Sequence, residues 1–383
     1  MRKMRVFFSA GEVSGDLSAS EVIRELTKVG VECVGIGGRK MEEAGMVNIT
    51  KTDESITSSV GFVESLKFVP YKLFLLSRVK RYLKDNKPDL VFLVDNQGFN
   101  ILLARVSKEL GLKVFYYFPP MVSVWGENTK YKVAKYCDKI ICTFRNDYDI
   151  YKQVSDGAVY VGLPFIDRIS RNYSSKDKYK NFFKEGTKKI LLLPGSREQE
   201  VRTLLRPILD VVKLILSGET SIDPTRVEFY TIIAHPTYRD YIVGMIGDMK
   251  LENTVKVFDN NNDYALLDVC DLAVSASGTI TLELALLKKP TIVVYKVSRL
   301  TFEIGKRLVK AKYISLPNIL LGEKLFPELL QDDVNAKVIV KYVEKIFNDR
   351  DTYINLENRV KKLVDSSGTV DRIVKIVVDN LSS

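Results

Sequence analysis

Four short loops in this sequence carry residues whose types and spacing could do chemistry. Asp95 lies in Val94-Asp95-Asn96-Gln97-Gly98-Phe99-Asn100, directly after the apolar run Leu90–Val94. Open α/β sheets bind ligands at the carboxyl ends of their parallel strands, which is where this carboxylate falls. Positioned and partly desolvated, it can take the proton from an attacking hydroxyl, the step a sugar transfer needs. Its other possible use is to cap the helix expected over Ile101–Leu110, but Asn100 is better placed for that cap, which leaves Asp95 as the base. The second loop, Ser9-Ala10-Gly11-Glu12-Val13-Ser14-Gly15-Asp16, follows the first apolar run. Its glycines allow a sharp turn and close approach to a ligand, and Ser14 or Asp16 could cap the next helix. A plain strand-to-helix turn explains the glycines but not a glutamate inside it, so Glu12 and Asp16 stand as the next candidate bases after Asp95.

The other two loops suit anions. Leu193-Pro194-Gly195-Ser196-Arg197 ends one apolar run and opens a helix expected over Glu198–Leu216. A helix start offers unpaired N–H groups, and Arg197 adds a two-pronged donor, so together they suit a diphosphate. A capped turn with a surface arginine is the alternative. Ser275-Ala276-Ser277-Gly278-Thr279-Ile280-Thr281-Leu282-Glu283 again sets small hydroxyl residues and a glycine at a helix start. Backbone N–H groups there can cradle a phosphate, and Glu283, read as lying on the first turn, can accept from a ribose. Helix ends and an arginine can stabilise a leaving diphosphate, so no metal and no cofactor are called for. Asp147-Tyr148-Asp149 and Asp349-Arg350-Asp351 have a metal-binding spacing, but both fall at helix starts, where acidic residues are expected anyway.

The elements that must position these loops alternate along the whole chain. Strands are expected over Arg5–Ser9, Cys33–Ile36, Leu90–Val94, Lys113–Tyr117, Lys139–Thr143 and Ala158–Val161, with helices over Leu17–Val29, Val63–Asn86, Ile101–Leu110 and Asn128–Tyr136. A second series puts strands over Lys189–Leu193, Val227–Ile233, Val255–Phe258, Leu272–Ser275 and Thr291–Tyr295. Its helices fall over Glu198–Leu216, Tyr238–Met249, Asp263–Val269 and Thr281–Leu287, and Val334–Asn348 and Thr352–Leu381 read as closing helices. This is an α/β protein of two doubly wound, Rossmann-like domains facing a cleft. The polar stretch Asp167–Gly186 takes the boundary, giving domains 1–172 and 173–350 and a closing helical segment 351–383. Such a shape fits nucleotide-sugar transferases and epimerases, although fold alone does not assign chemistry.

Composition removes alternatives. With 383 residues, 46% of them hydrophobic, the chain can fill two cores. No apolar run approaches the roughly 20 residues of a membrane span, and the start reads as a strand rather than a signal segment, so the expected location is cytoplasmic. His235 is the only histidine, which excludes histidine-rich metal sites, and no Gly-x-Ser-x-Gly elbow is present. Cys33, Cys137, Cys142 and Cys270 lie in or beside apolar runs without ligand spacing and read as buried thiols. The net charge of +10 favours an anionic partner, and no nucleic-acid-binding module is recognisable.

Taken together, the loops resemble the lipid-A-disaccharide synthase family. The resemblance runs through Ala10-Gly11-Glu12-Val13-Ser14-Gly15-Asp16, Val60-Gly61-Phe62-Val63-Glu64 and Leu193-Pro194-Gly195-Ser196-Arg197 with Glu200-Val201. It continues through Ala276-Ser277-Gly278-Thr279, Lys306-Arg307-Leu308-Val309-Lys310, Tyr313-Ile314-Ser315-Leu316-Pro317-Asn318 and Pro327-Glu328-Leu329-Leu330-Gln331. It implies an inverting transferase of the GT-B type, moving a diacylglucosamine from UDP to the 1-phosphorylated diacylglucosamine lipid X through a β-1,6 bond. By it, Asp95 matches the base, Gly195, Ser196, Arg197 and Ser277, Gly278, Thr279 the UDP phosphates, and Asn318 a donor-side position. It also implies that the final helices cross back to the first domain. Three first-domain stretches depart from the family pattern: Asn96-Gln97-Gly98-Phe99-Asn100, Tyr117 to Gly126, and Gly162-Leu163-Pro164. They leave two other readings open, an epimerase or hydrolase of the same shape and a non-catalytic nucleotide-sugar binder.

The implied partners are a UDP-sugar donor, a lipid-linked sugar phosphate acceptor and the anionic inner face of the cytoplasmic membrane. Phe68, Leu73 and Leu76 mixed with the cations Lys72, Lys80 and Arg81 could lay the helix Val63–Asn86 on such a surface; a sheet-packing helix with a basic outer face is the alternative.

Overall fold

The structure, a computed structural model, describes residues 3–50, 69–124, 126–308, 312–349, 351–364 and 367–381. The chain forms two compact units, one of Met1–Asp167, Glu303–Ala311 and Asp365–Ser383, the other of Arg168–Phe302 and Lys312–Val364. The first unit holds strands β1 (Arg5–Ala10), β2 (Glu32–Ile36), β3 (Val47–Asn48), β4 (Leu90–Val94), β5 (Val114–Tyr117), β6 (Lys139–Cys142) and β7 (Ala158–Tyr160). The second holds β8 (Lys188–Leu193), β9 (Val227–Ile233), β10 (Val255–Asp259), β11 (Leu272–Ala276), β12 (Thr291–Tyr295) and β13 (Glu328–Leu330).

The sheet orders are β3-β2-β1-β4-β5-β6-β7 and β10-β9-β8-β11-β12-β13, and every paired strand is parallel. Each order reverses once, between β1 and β4 in the first unit and between β8 and β11 in the second. Chains leaving two neighbouring strands toward opposite faces open a crevice at such a reversal.

Strand composition follows from burial on both faces. In β1, Val6, Phe8 and Ala10 pack with Ala19, Val22, Ile23, Val370 and Ile373. Phe7 points the other way, against Leu75, Val79, Leu83 and Leu103. This two-residue alternation between two cores is why Val6–Phe8 of β1 and the whole of β4 read as unbroken apolar runs. Burying a side chain such as Phe7 or Phe8 completely contributes roughly 1.5–3 kcal/mol. The helix Thr369–Leu381 belongs to the first unit: Gly368 and Thr369 N–H donate to Asp167, each at 2.7 Å, and Lys113 Nζ donates to Asn380 O at 2.7 Å.

Several elements differ from the sequence expectation. The helices Val13–Lys28 and Gln97–Glu109 start well before the expected Leu17 and Ile101, because each springs straight from a strand-end turn. Val13-Ser14-Gly15-Asp16 and Gln97-Gly98-Phe99-Asn100 look like loop by composition, yet a helix first turn tolerates such residues. β3 and β13 are too short to show a period of two. The stretch after Asp167 contains the helix Asp177–Lys180, and Tyr179 and Phe183 pack against the second sheet. The Val60–Glu64 motif, and the part of the expected helix before Val69, lie outside the described residues.

Candidate functional site

All four chemistry-bearing loops leave the strands at the two reversals. In the first unit β1 and β4 run side by side to Ala10 and Val94. Asn100, fully buried, staples the two ends: its Nδ2 donates to Ser9 O at 3.2 Å, Val94 O at 3.0 Å and Asp95 O at 2.9 Å, while Oδ1 accepts from Ser9 Oγ at 2.6 Å. Asn100 is therefore a clamp and not the helix cap expected for it; the position before the helix is Asn96.

Asp95 is held by its backbone. Its N–H donates to Tyr117 O at 3.0 Å, and its carbonyl also accepts from Tyr116 Oη at 2.8 Å. Asp95 and Asn96 have φ of 51° and 46°, in the left-handed region. Two consecutive non-glycine residues there cost on the order of 1–3 kcal/mol each and persist only where the surroundings over-determine them. The reward is orientation: the chain doubles back, and a half-buried carboxylate stands at the strand end on a fixed backbone. A β-carbon built on Gly15 would lie 3.6 Å from Asp95 Cβ, so the first turn of the neighbouring helix passes at contact distance.

Glu12 occupies the position before the helix Val13–Lys28, with extended backbone and no side-chain cap bond. Glu12 lines a pocket with Gly11, Gly38, Lys72, Asn96 and Phe99. Asp16 also touches this pocket, but its carboxylate is already used. Oδ1 accepts from Gly38 and Met41 N–H and Oδ2 from Lys40 N–H, all at 3.0 Å, and the side chain is buried. This corrects the reading of Asp16 as a candidate base: it caps the helix Arg39–Glu43 and fixes the pocket wall. Lys72 was counted among the cations of a surface helix, yet it is half-buried here; burial pulls its pKa below the ordinary lysine value while Glu12 pushes the other way.

In the second unit, Leu193 and Ser275 are register partners on β8 and β11. Gly195 has φ 120°, and a β-carbon there would lie 2.5 Å from Glu200 Cβ, so the turn needs glycine. The expected open phosphate site at the helix Glu198–Leu216 is corrected. Glu200 Oε2 accepts from Ser196 N–H at 3.1 Å and Arg197 N–H at 3.3 Å, and Oε1 accepts from Arg197 Nη1 at 2.8 Å. Glu200 itself sits where an anion was expected. The signal was present in the spacing, a glutamate three residues after the capping position.

The Ser277–Thr279 loop is more open. The helix Thr279–Leu286 starts without a side-chain cap bond, and space around Gly278 is clear, with no atom within 4 Å of a β-carbon built there. Ser277 Oγ donates to Ile314 O at 3.1 Å, and Thr281 Oγ1 donates to Gly278 O at 2.7 Å.

Glu283 lies beyond the first turn of this helix and is buried. Its Oε1 accepts from Tyr264 Oη at 2.9 Å and pairs with Arg168 Nη1 at 3.5 Å, so the ribose contact expected of it is replaced by a hold on a buried arginine. Asn318 is likewise corrected. Its Nδ2 donates to Phe326 O at 2.9 Å and Glu328 Oε1 at 2.8 Å, and Oδ1 accepts from Leu325 N–H at 2.8 Å and Phe326 N–H at 2.9 Å. That uses the whole capacity of an amide. With Glu328, which also accepts from Ile314 and Ser315 N–H, Asn318 folds the loop on which Ser277 rests.

The helix Val69–Asn86 packs on the first sheet through Leu75, Val79 and Leu83. Leu76 packs against the same core, which corrects its assignment as a surface contact. Leu73 and Phe74 are 55% and 60% exposed, with Val69 beside them, Arg78 stacked 5.9 Å from the Phe74 ring centre, and Lys80 and Arg81 exposed further along. Phe68 and Trp125 lie outside the described residues. His235 sits on a loop, its Nδ1 accepting from Thr237 N–H at 3.4 Å. All four cysteines are buried, and burial pushes the Cys33 and Cys270 thiols up to about 12. Asp147 is buried, with Oδ1 accepting from Ser123 N–H at 2.9 Å and Oδ2 unpartnered, and among the described residues no group of three or more His, Cys, Asp or Glu side chains could hold a metal ion. Among the described residues no helix is long and apolar enough to cross a membrane.

Two doubly wound units with their functional loops at the reversals define a protein of the nucleotide-sugar glycosyltransferase and epimerase architecture. Solved structures share it: UDP-GlcNAc 2-epimerase from Neisseria meningitidis bound to UDP-GlcNAc (TM-score 0.62, 13% identity, 99% of both chains) and S. aureus MnaA with UDP (TM-score 0.65, 13% identity, 100% of this chain and 98% of that one). These likenesses concern the fold. The family model for lipid-A-disaccharide synthetase matches residues 6–373. Lipid-A-disaccharide synthases of Geobacter metallireducens and Coxiella burnetii (strain RSA 331 / Henzerling II) are 33% and 32% identical over 98% of this chain and 97% and 98% of their own lengths. The chain belongs to the lipid-A-disaccharide synthase family, and is a glycosyltransferase.

Proposed function

We propose that this protein transfers a diacylglucosamine from UDP to a 1-phosphorylated diacylglucosamine, forming a β-1,6 bond and releasing UDP. Full-length membership of the family supports the reaction, and the observation that carries it to residues is Asp95, held on a strained turn by Asn100 and Tyr116. In this reading the acceptor hydroxyl oxygen attacks the anomeric carbon and its proton goes to Asp95. The bond from that carbon to the diphosphate breaks from the opposite side, its electron pair leaving with UDP, so the configuration inverts. Glu12, beside the same strand ends, supports the acceptor sugar.

The donor diphosphate is assigned to the open Ser277–Thr279 loop and to Arg197, with Gly195 and Ser196 shaping its turn. Because Glu200 covers the Ser196 and Arg197 N–H groups, Arg197 would bind phosphate with its guanidinium rather than through the helix end. The exposed Val69, Leu73 and Phe74 beside Arg78, Lys80 and Arg81 support docking of the first unit on an anionic membrane, on the cytoplasmic side where UDP-sugars are made available. The test is mass spectrometry of products from UDP-diacylglucosamine and the 1-phosphorylated acceptor. A disaccharide monophosphate with UDP is expected; free sugar, an epimer or unchanged substrates would overturn the reading.

A further inference from the structure

The pocket of the first unit contains a cation that the reaction scheme does not use. Lys72 comes from the helix Val69–Asn86 and turns inward where its neighbours Leu73 and Phe74 turn out. Its Nζ lies 3.9 Å from where a β-carbon on Gly98 would be, at the start of the helix that follows Asp95. Among the described residues Lys72 makes no hydrogen bond and no ion pair within 4 Å. The carboxylate of Asp16 is held by Gly38, Lys40 and Met41 N–H groups and makes no ion pair with Lys72 within 4 Å. Holding an ammonium half out of water without a partner is unfavourable unless an anion completes the site. The same lining carries the Glu12 carboxylate, the bound carboxylate of Asp16 and glycine backbone at Gly11 and Gly38. A cation without a bonded partner beside a carboxylate without a cap bond suits a ligand that puts an anionic group beside hydroxyl or amide donors.

We propose that Lys72 binds the phosphate monoester of the acceptor sugar while Glu12 accepts from that sugar's donor groups. The proposal rests on the acceptor class proposed above and assigns it a specificity residue. Its placement also orders an amphiphile. The charged head sits at Lys72, one residue from the exposed apolar side of the same helix, where acyl chains would leave the pocket. Such a site separates phosphorylated from unphosphorylated acceptors by charge, at a point close to Asp95 but without touching the proton it takes.

The test compares wild type, Lys72→Met and Lys72→Arg as full chains on the 1-phosphorylated acceptor and on the same lipid lacking phosphate. Wild type should prefer the phosphorylated acceptor. Lys72→Met should lose at least tenfold of that preference in kcat/KM, through KM, with the donor KM unchanged, and Lys72→Arg should recover most of it. An unchanged preference in Lys72→Met overturns the proposal. A second arm needs no turnover: saturation-transfer NMR with glucosamine 1-phosphate should show binding to wild type and not to Lys72→Met. Equal signals, no signal with wild type, or displacement by inorganic phosphate as effective as by the sugar phosphate would each overturn it. If glucosamine 1-phosphate binding depends on Lys72 but no disaccharide ever forms, the subsite stands and the proposed transferase reaction falls.

Discussion

The reversal between β1 and β4 and the reversal between β8 and β11 share one topology and differ in what stands on it. At the first, strained non-glycine residues hold carboxylates: Asp95 and Asn96 have positive φ, and Glu12 precedes a helix. At the second, Gly195 carries one turn and a helix start stands open at Gly278. Proton removal needs a single oxygen aimed to within tenths of an ångström, which justifies backbone strain and the Asn100 clamp. Diphosphate binding needs many donors converging on a spread charge, which glycine turns and helix ends supply cheaply. One scaffold therefore supports a base and an anion cradle by changing a few loop residues.

The largest expected effect tests the first reversal. Asp95→Asn should keep the fold and hold UDP with unchanged affinity while losing about 10²–10⁴-fold in rate. Near-normal turnover would move the base to Glu12. Asn100→Ala asks whether the clamp matters: turnover should fall with Asp95 still present, and the melting temperature should drop, because four polar contacts of a buried amide are removed.

At the second reversal Arg197→Ala should weaken UDP binding by about 1.5–3 kcal/mol, the worth of a charged hydrogen-bond partner, as read by calorimetry. Glu200→Gln sharpens this. If Glu200 only caps the helix, UDP affinity should change little and stability should fall by about 1 kcal/mol. Tighter UDP binding in that variant would mean that Glu200 competes with the phosphate.

A smaller effect concerns the loop after β5. Burial raises Asp147 to about 6, above its unfolded value, despite the Ser123 N–H bond. The folded state then binds more protons than the unfolded state between about pH 4 and 6. Stability should decline as pH rises through that window, by on the order of 2 kcal/mol. Denaturant melts of wild type and Asp147→Asn at pH 4.5 and 7 check it, and equal pH slopes for the two would refute the assignment. The smallest effect tests the outer face: Leu73→Ser with Phe74→Ser should reduce sedimentation with anionic liposomes about tenfold without changing UDP affinity, and Lys80→Glu with Arg81→Glu should do so chiefly at low salt.

The strands were legible because both faces of each sheet are buried, so Leu90–Val94 reads as one apolar run with sharp ends. The positions of the four loops followed from those ends, since residues at the carboxyl end of a parallel strand are fixed by where the strand stops. Residue types such as Asp95, Arg197 and Gly278 were visible for the same reason. What each polar side chain touches was not visible, because its partner lies far along the chain. Asp16 meets Gly38 and Met41, Asn318 meets Phe326 and Glu328, and Glu283 meets Tyr264 and Arg168. Each was a plausible ligand contact by type and became a structural clamp once folding supplied a nearer partner. Lys72 went the other way: helix periodicity grouped it with solvated cations, and only the approach of the β1 and β4 loops enclosed it. A strand carries its own signature in sequence, whereas a hydrogen bond between distant residues exists only after the sheet order has brought them together.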